Sequence, residues 1–370
     1  MITNYYIIII IIIVFLIFLN YYIDNIDNKN NNKNKNKNKN NNINNNINKN
    51  NNNNINNNIN INKKIIIYAS FNLHNITCGG CTVLIYFAQK INELYNDNIV
   101  SIYTSDSEVN DSGLIFNNFI MDEDFDIENT IVIYPEGQEE NPLDAKYIVR
   151  WILADLNTNI NIYKTWNDND LVYYYNKEKK FYDYPDKVNN IYKQLSIIFL
   201  NSDFINYNDQ PREGYCHTYR KSYFHSIINE IHPDDSFEIT RDHSISETVS
   251  FFNKYKYFIC YDPFTFLALI AILCGCIPII YPMENYNKKE YLQLSPLWDY
   301  IEMNNINNFY GLAYGLDDVK YAENTLNQGP DFIKKGIDYV NDFYIKSFLK
   351  DINNIENLNN TVINNYGKTN

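Results

Sequence analysis

The chain has 370 residues, with 31 Lys and Arg against 44 Asp and Glu, and a net charge of −13 with the histidines neutral. Residues 1–64 hold eight Lys and two Asp, so the remainder carries −19. That balance excludes nonspecific binding to a phosphate backbone, and with it nucleic acid as a partner. Six cysteines are too few for a disulfide scaffold at this length.

Residues 5–23 are almost uninterrupted Ile, Val, Leu and Phe, and about 20 apolar residues span a bilayer as a helix. Tyr5, Tyr6, Tyr21 and Tyr22 stand at its two edges, where an interfacial aromatic belt belongs. No basic segment precedes the run and no small-residue cleavage site follows, so residues 1–23 read as a single-pass transmembrane anchor rather than a cleaved signal. The lysines at 29, 33, 35, 37 and 39 favour a cytoplasmic body. The sequons at Asn75, Asn110 and Asn359 fit a lumenal one, so the side stays open. Residues 24–63 are low-complexity Asn and Lys with scattered Ile, too poor in apolar surface to offset chain entropy, and read as a linker.

The folded body opens at Lys64. Ile65 to Ser70 reads as a strand, followed by a polar loop with Cys78, Gly79, Gly80 and Cys81. Val83 to Tyr95 has helical periodicity, with Leu84, Phe87, Ala88, Ile91 and Leu94 on one side, and Ile99 to Thr104 returns as a strand. Ile131 to Tyr134 is a further strand. Pro142 to Leu156 reads as a helix with Leu143, Tyr147 and Trp151 facing in. Residues 160–166 and 171–175 alternate around Asn167, Asp168, Asn169 and Asp170 and read as a hairpin or tight loop. Ser196 to Leu200 is a short apolar strand, and 205–214, rich in Asn, Asp, Pro and Gly, is the domain boundary.

The run from Tyr257 to Tyr281 is the most informative segment. It reads as strand, loop, helix and strand, with apolar stretches continuous enough for a parallel strand buried on both faces. Asp262, Pro263 and Thr265 fall where a helix begins near Phe264. Gly275 falls where it ends, with Pro278 beyond. A helix start at the carboxyl end of a central strand offers free N–H groups to a phosphate. Further helices fall near 317–328 and 331–349. Strands alternating with helices give an α/β body of two Rossmann-like domains with parallel sheets, 64–205 and 206–350, and a polar tail at 351–370.

Several residue groups carry candidate chemistry. Asp262 suits a ribose or sugar hydroxyl, and Thr265 a phosphate. Arg220 and Lys221 suit a diphosphate, Arg by its fork and Lys as a point charge. Glu284, beyond the strand after Gly275, joins the donor contacts. His74, His217, His225, His232 and His243 show no zinc spacing; His74 and His217 are candidate bases, with Asp262 as the catalytic carboxylate. Asp168 and Asp170 match a short Asp-x-Asp metal pattern, as do Asp122 and Asp124, but a polar turn is the simpler reading. Cys78 and Cys81 form a Cys-x-x-Cys at a helix start, which suits a thioredoxin-like dithiol. Cys260, Cys274 and Cys276 read as small core residues.

The series Gly79–Gly80, Leu84, Ala88 and Leu94, the strand from Ile99, Trp151 to Asp155, Arg212 to Cys216, Arg220–Lys221, Tyr261–Asp262–Pro263, Thr265, Cys274–Gly275–Cys276, Pro278 and Gly311 to Gly315 resembles a little-characterised group of GT-B-fold glycosyltransferases. The resemblance covers residues 64–345. It implies two Rossmann-like domains facing a cleft, with a nucleotide-diphospho-sugar donor held mainly by the second. It also implies a glycan, lipid or protein acceptor entering from the first, no metal and no other cofactor. Donor contacts would be Gly79, Gly80, Arg220, Lys221, Asp262, Phe264, Thr265 and Glu284. Eight residues after Asp262, where the best-known retaining enzymes of this fold carry a second Glu, this chain has Ile270. The alternatives are a membrane-tethered thiol oxidoreductase using Cys78 and Cys81, and an inactive GT-B-like binding protein.

Overall fold

The computed structural model describes residues 63–69, 79–104, 119–120, 126–153, 162–175, 191–208, 210–220, 227, 229–263, 265–284, 286–306 and 308–356. The apolar run at 5–23, the Asn/Lys linker, His74, Cys78, Asp122, Asp124, Lys221, His225 and Phe264 lie outside them. Among the described residues no helix is long and apolar enough to cross a membrane.

The body is α/β and contains two parallel sheets. The first uses β1 (Lys64–Ala69), β2 (Val100–Thr104), β3 (Phe119–Ile120), β4 (Thr130–Pro135), β5 (Tyr147–Ile152), β6 (Leu171–Tyr174) and β7 (Ile191–Gln194) in the order β3-β2-β1-β4-β5-β6-β7. Every pairing is parallel. One face carries Ile65, Ile67, Ile131, Ile133, Val149 and Trp151, each fully buried. Helix α1 (Gly79–Tyr95) supplies Leu84, Phe87, Ala88 and Ile91, also buried, and the Phe87 ring meets Trp151 edge-on at 5.0 Å. Leu94, expected to face inward, is 50% exposed near the helix end.

Three expectations for this sheet are corrected. The helix expected over 142–156 is not formed in its described part, 142–153: Tyr147–Ile152 is a central strand with all six residues buried. Its helix-like spacing misleads because a strand covered on both faces has no polar side to reveal its period. Residues 160–175 form no hairpin: Ile162–Thr165 is a 3-10 turn and β6 pairs with β5 in parallel. Residues 196–200 belong to neither sheet, and the edge strand lies just before them at β7. Helix α1 also begins earlier than its apolar periodicity, taking Gly79 and Gly80 into its first turn.

The second sheet uses β8 (Glu213–Thr218), β9 (Phe237–Glu238), β10 (Tyr255–Cys260), β11 (Ile277–Ile280) and β12 (Ala313–Tyr314) in the order β12-β11-β10-β8-β9, again all parallel. Helix α2 (Ile245–Lys254) starts at a capping box of Ser244 and Glu247, and α3 (Leu267–Leu273) is buried at all seven positions. The expected strand–helix–strand unit is present as β10, α3 and β11. Gly275 ends it at φ +84°, where a Cβ would stand 2.7 Å from Asn206 Nδ2 and 2.9 Å from Arg212 Nη2. Only glycine suits such a position. Cys260, Cys274 and Cys276 are fully buried.

Short helices α4 (Lys288–Gln293), α5 (Trp298–Met303) and α6 (Val319–Thr325) follow, then the long α7 (Gly329–Ile352). Helix α7 packs beside α3 and α5 and then reaches the first sheet. Phe348 meets Phe87 at 5.3 Å and Tyr173 at 5.4 Å. Asp351 accepts from Tyr173 Oη at 3.1 Å and from Lys193 Nζ at 2.7 Å. Asn341 holds both backbone groups of Ile198, accepting its N–H at 2.8 Å and donating to its carbonyl at 2.9 Å. One side chain thus satisfies two buried main-chain groups that no sheet reaches. Asn341→Leu should cost about 1–3 kcal/mol for the stranded groups, read as a lower denaturant midpoint in chemical unfolding; an unchanged midpoint would contradict it.

Candidate functional site

In the second sheet the chain leaves β8 toward β9 on one side and leaves β10 toward β11 on the other. Two such connections diverge and open a crevice outside the carboxyl ends of the two strands, where ligands of open α/β sheets bind. Cys260 pairs in register with Thr218. Two residues beyond each stand Asp262 and Arg220, so the strand order itself places these two charges at the rim.

Arg220 is half-buried and its Nη2 donates to the Thr240 carbonyl at 2.9 Å. Its buried Nε has no hydrogen-bond partner. Arg241, exposed at the end of the same crossover, donates to the Arg220 carbonyl at 3.4 Å. Burial lowers the Arg220 pKa and the Arg241 charge lowers it further, while Asp262 acts in the opposite direction. Among the described residues neither arginine is within ion-pair distance of a carboxylate. The two guanidinium groups stand together at the switch point of the sheet, with the Asp262 carboxylate also acting on Arg220. Arg241 was not singled out by its sequence context; it lies 21 residues from Arg220 and joins it only because β9 pairs beside β8.

Asp262 is 2% exposed. Tyr291 of α4 lies close enough for Asp262 and Cys260 to raise its pKa, after burial, and its ring stacks on Tyr314 at 5.0 Å. Thr265 Oγ1 accepts from Leu267 N–H at 3.3 Å, and Thr265 N–H donates to the Asp262 carbonyl at 3.4 Å. Helix α3 begins at Leu267, beyond the expected start near Phe264, and is seven residues long, and its Leu267 N–H is taken up by Thr265. Glu284 is exposed beyond β11. Gly79 and Gly80 open α1 on the first sheet, and no contact joins them to Arg220 or Asp262 among the described residues.

His217 is corrected as a candidate base. It is 5% exposed on β8, its Nδ1 lies 2.9 Å from Ser236 Oγ, and its ring stacks on His232 at 3.9 Å. Burial first, and His232 second, lower its pKa to about 4. A group so held is a weak base for an incoming hydroxyl near neutral pH.

Asp170, half of the Asp-x-Asp pattern, is buried and paired with Arg150 Nε at 2.7 Å, and both side chains are nearly inaccessible. Arg150 also donates to the carbonyls of Gln138 and Glu140 and lies 4.8 Å from the Tyr134 ring centroid. The pair ties the turn after β4 to the turn that enters β6, where Asp168 and Asp170 lie, and Asp170 is engaged by Arg150. No cluster of His, Cys, Asp and Glu suited to a metal occurs among the described residues. Cys81 is 6% exposed inside α1, an environment in which a thiol is slow to exchange.

No family model matches the chain, and no curated protein matches it in sequence.

Asp170→Ala leaves the Arg150 charge buried and uncompensated. It should destabilise the fold by about 3–5 kcal/mol, whereas Arg150→Met with Asp170→Leu should cost much less. Equal losses in urea unfolding for the single and double variants would contradict the role of the pair.

Proposed function

We propose that the chain is a glycosyltransferase that takes a nucleotide-diphospho-sugar at the carboxyl edge of its second sheet. The observation that carries this reading is the pair Arg220 and Arg241, cationic and outside ion-pair distance of any carboxylate among the described residues, at the switch point between β8 and β10. In sugar transfer the bond between the anomeric carbon and the diphosphate oxygen breaks, and negative charge gathers on the leaving diphosphate. Fixed guanidinium groups at that place stabilise the charge as it develops. The acceptor hydroxyl supplies the new bond to the anomeric carbon and gives up its proton.

The first sheet has a switch point of its own, between β1 and β4, and is proposed as the acceptor side. The finer architecture, two Rossmann-like domains across a cleft, belongs to the same proposal. So does the anchor at residues 5–23, which would hold that cleft near a membrane-borne acceptor. Asp262, beside Arg220, is proposed to accept from a donor hydroxyl. Ile270, where a second acid would stand, is 1% exposed within α3, which favours one rival reading: a protein that binds the donor without transferring its sugar.

Isothermal titration of the full-length chain with nucleoside diphosphates tests the site. Arg220→Ala and Arg241→Ala should each weaken binding by about ten- to a hundredfold, the scale of a lost charge-assisted hydrogen bond. Binding that is absent, or unaffected by both changes, would overturn the proposal. Tight binding with no release of sugar from any donor would favour the binding protein.

A further inference from the structure

The β8–β9 connection returns over one face of the second sheet, and its return carries a hydrogen-bonded cluster that sugar transfer does not use. The rings of His217 on β8 and His232 on the returning segment lie parallel, 3.9 Å apart with an interplanar angle of 9°. His217 Nδ1 is 2.9 Å from Ser236 Oγ, and the Ile239 N–H donates to the His217 carbonyl at 2.7 Å. The Tyr261 hydroxyl oxygen accepts the N–H groups of Ile231 at 2.7 Å and His232 at 3.3 Å, and lies 2.9 Å from His232 Nδ1.

The Tyr261 hydroxyl thus ties the returning segment to the end of β10 through three contacts. Two imidazolium rings stacked at this separation would repel one another.

The other titratable groups around the stack come from every neighbouring element. Tyr219, just beyond β8, meets both rings edge-on, at 5.3 Å to His217 and 6.0 Å to His232. Tyr261 follows β10, and Glu238 of β9 is paired in register with His217. Glu230 lies 3.8 Å from His232 Nε2 and accepts the Tyr219 hydroxyl proton. The Glu230 charge favours an imidazolium, but Glu230 is largely exposed, with 60% side-chain accessibility. The burial of His217 and the proximity of the second ring outweigh it.

We infer that the His217–His232 stack is a proton-sensitive latch: it holds segment 229–240 on the second sheet at neutral pH and releases it on acidification, dismantling the anion site. The consequence for the site follows from Thr240 and Arg241, which end that segment. Release removes the carbonyl that holds Arg220 Nη2 and carries Arg241 away. Only this consequence rests on the donor-site reading; the latch itself does not.

The sign follows from linkage. The closed segment keeps His217 neutral down to about pH 4, against an ordinary value of 6.5. An opened segment takes up the proton as pH falls through 6.5. Closure is therefore favoured above pH 6.5 and is progressively lost between 6.5 and 4. Opening should increase by about tenfold or more between pH 7.5 and 5.0.

Amide hydrogen exchange on the full-length chain at these two pH values, corrected for intrinsic exchange chemistry, tests the latch. Protection at Ile231, His232 and Ile239 should fall about tenfold or more at pH 5.0, beyond any change in α7. His217→Gln and His232→Gln should each abolish most of that pH response. Wild-type protection that does not change would overturn the latch. Nuclear magnetic resonance titration of the wild-type imidazoles supplies a readout that needs no variant; both rings protonating near pH 6.5 with the segment still protected would overturn it as well. Nucleoside diphosphate titrated at both pH values separates the two claims. A pH-dependent segment with no diphosphate binding at pH 7.5 overturns the donor site and supports the latch, whereas binding at pH 7.5 with no pH response in the segment overturns the latch alone.

Discussion

The order of the strands in the second sheet is the constraint on which the site depends. A parallel strand must be covered on both faces, so each connection crosses one face or the other. Where neighbouring strands send their connections in opposite directions, the backbone parts and leaves room at the carboxyl rim. Strands β8 and β10 meet that condition, and the register that pairs Thr218 with Cys260 sets Arg220 level with Asp262. Alternation along the strands then sends His217 and Tyr261 to the face that carries the aromatic cluster. The charged rim and the histidine stack are two products of the same pair of strands.

Electrostatics give that rim its character. In a chain of net charge −13 some cations find carboxylates, as Lys193 does with Asp351 and Arg150 with Asp170. The latter pair shows what full compensation looks like: a buried guanidinium with a carboxylate, two carbonyls and an aromatic ring around it. Arg220 has one carbonyl, an unpartnered Nε and a second guanidinium nearby. The difference between those two environments separates an arginine that braces the fold from one whose charge is less fully compensated.

The β10–α3–β11 unit was legible because its apolar runs are short, continuous and punctuated by Asp262, Gly275 and Pro278. Strand β5 was not, because a fully buried strand and a buried helix share the same composition, and Leu143, Tyr147 and Trp151 happen to fall at helical spacing. Arg220 could be picked out from its neighbour Lys221, whereas Arg241 has no local signal and becomes a site residue only through β9 lying beside β8. The role of His217 was misjudged for a related reason: its type suggests a base, but burial and the His232 ring are tertiary facts. Thr265 accepts the Leu267 N–H at the first turn of α3, a local role that its residue type does not reveal in the sequence.

The central claim is that Arg220 and Arg241 together receive the phosphates of a donor at the carboxyl rim of β8 and β10. A crystal structure of the chain grown with a nucleoside diphosphate tests it most directly. The account predicts phosphate oxygens at about 2.7–2.9 Å from both guanidinium groups, with the nucleoside directed along the rim past Asp262. Density for the diphosphate bound elsewhere on the chain, with Arg220 and Arg241 in contact only with Thr240, each other and solvent, would contradict it.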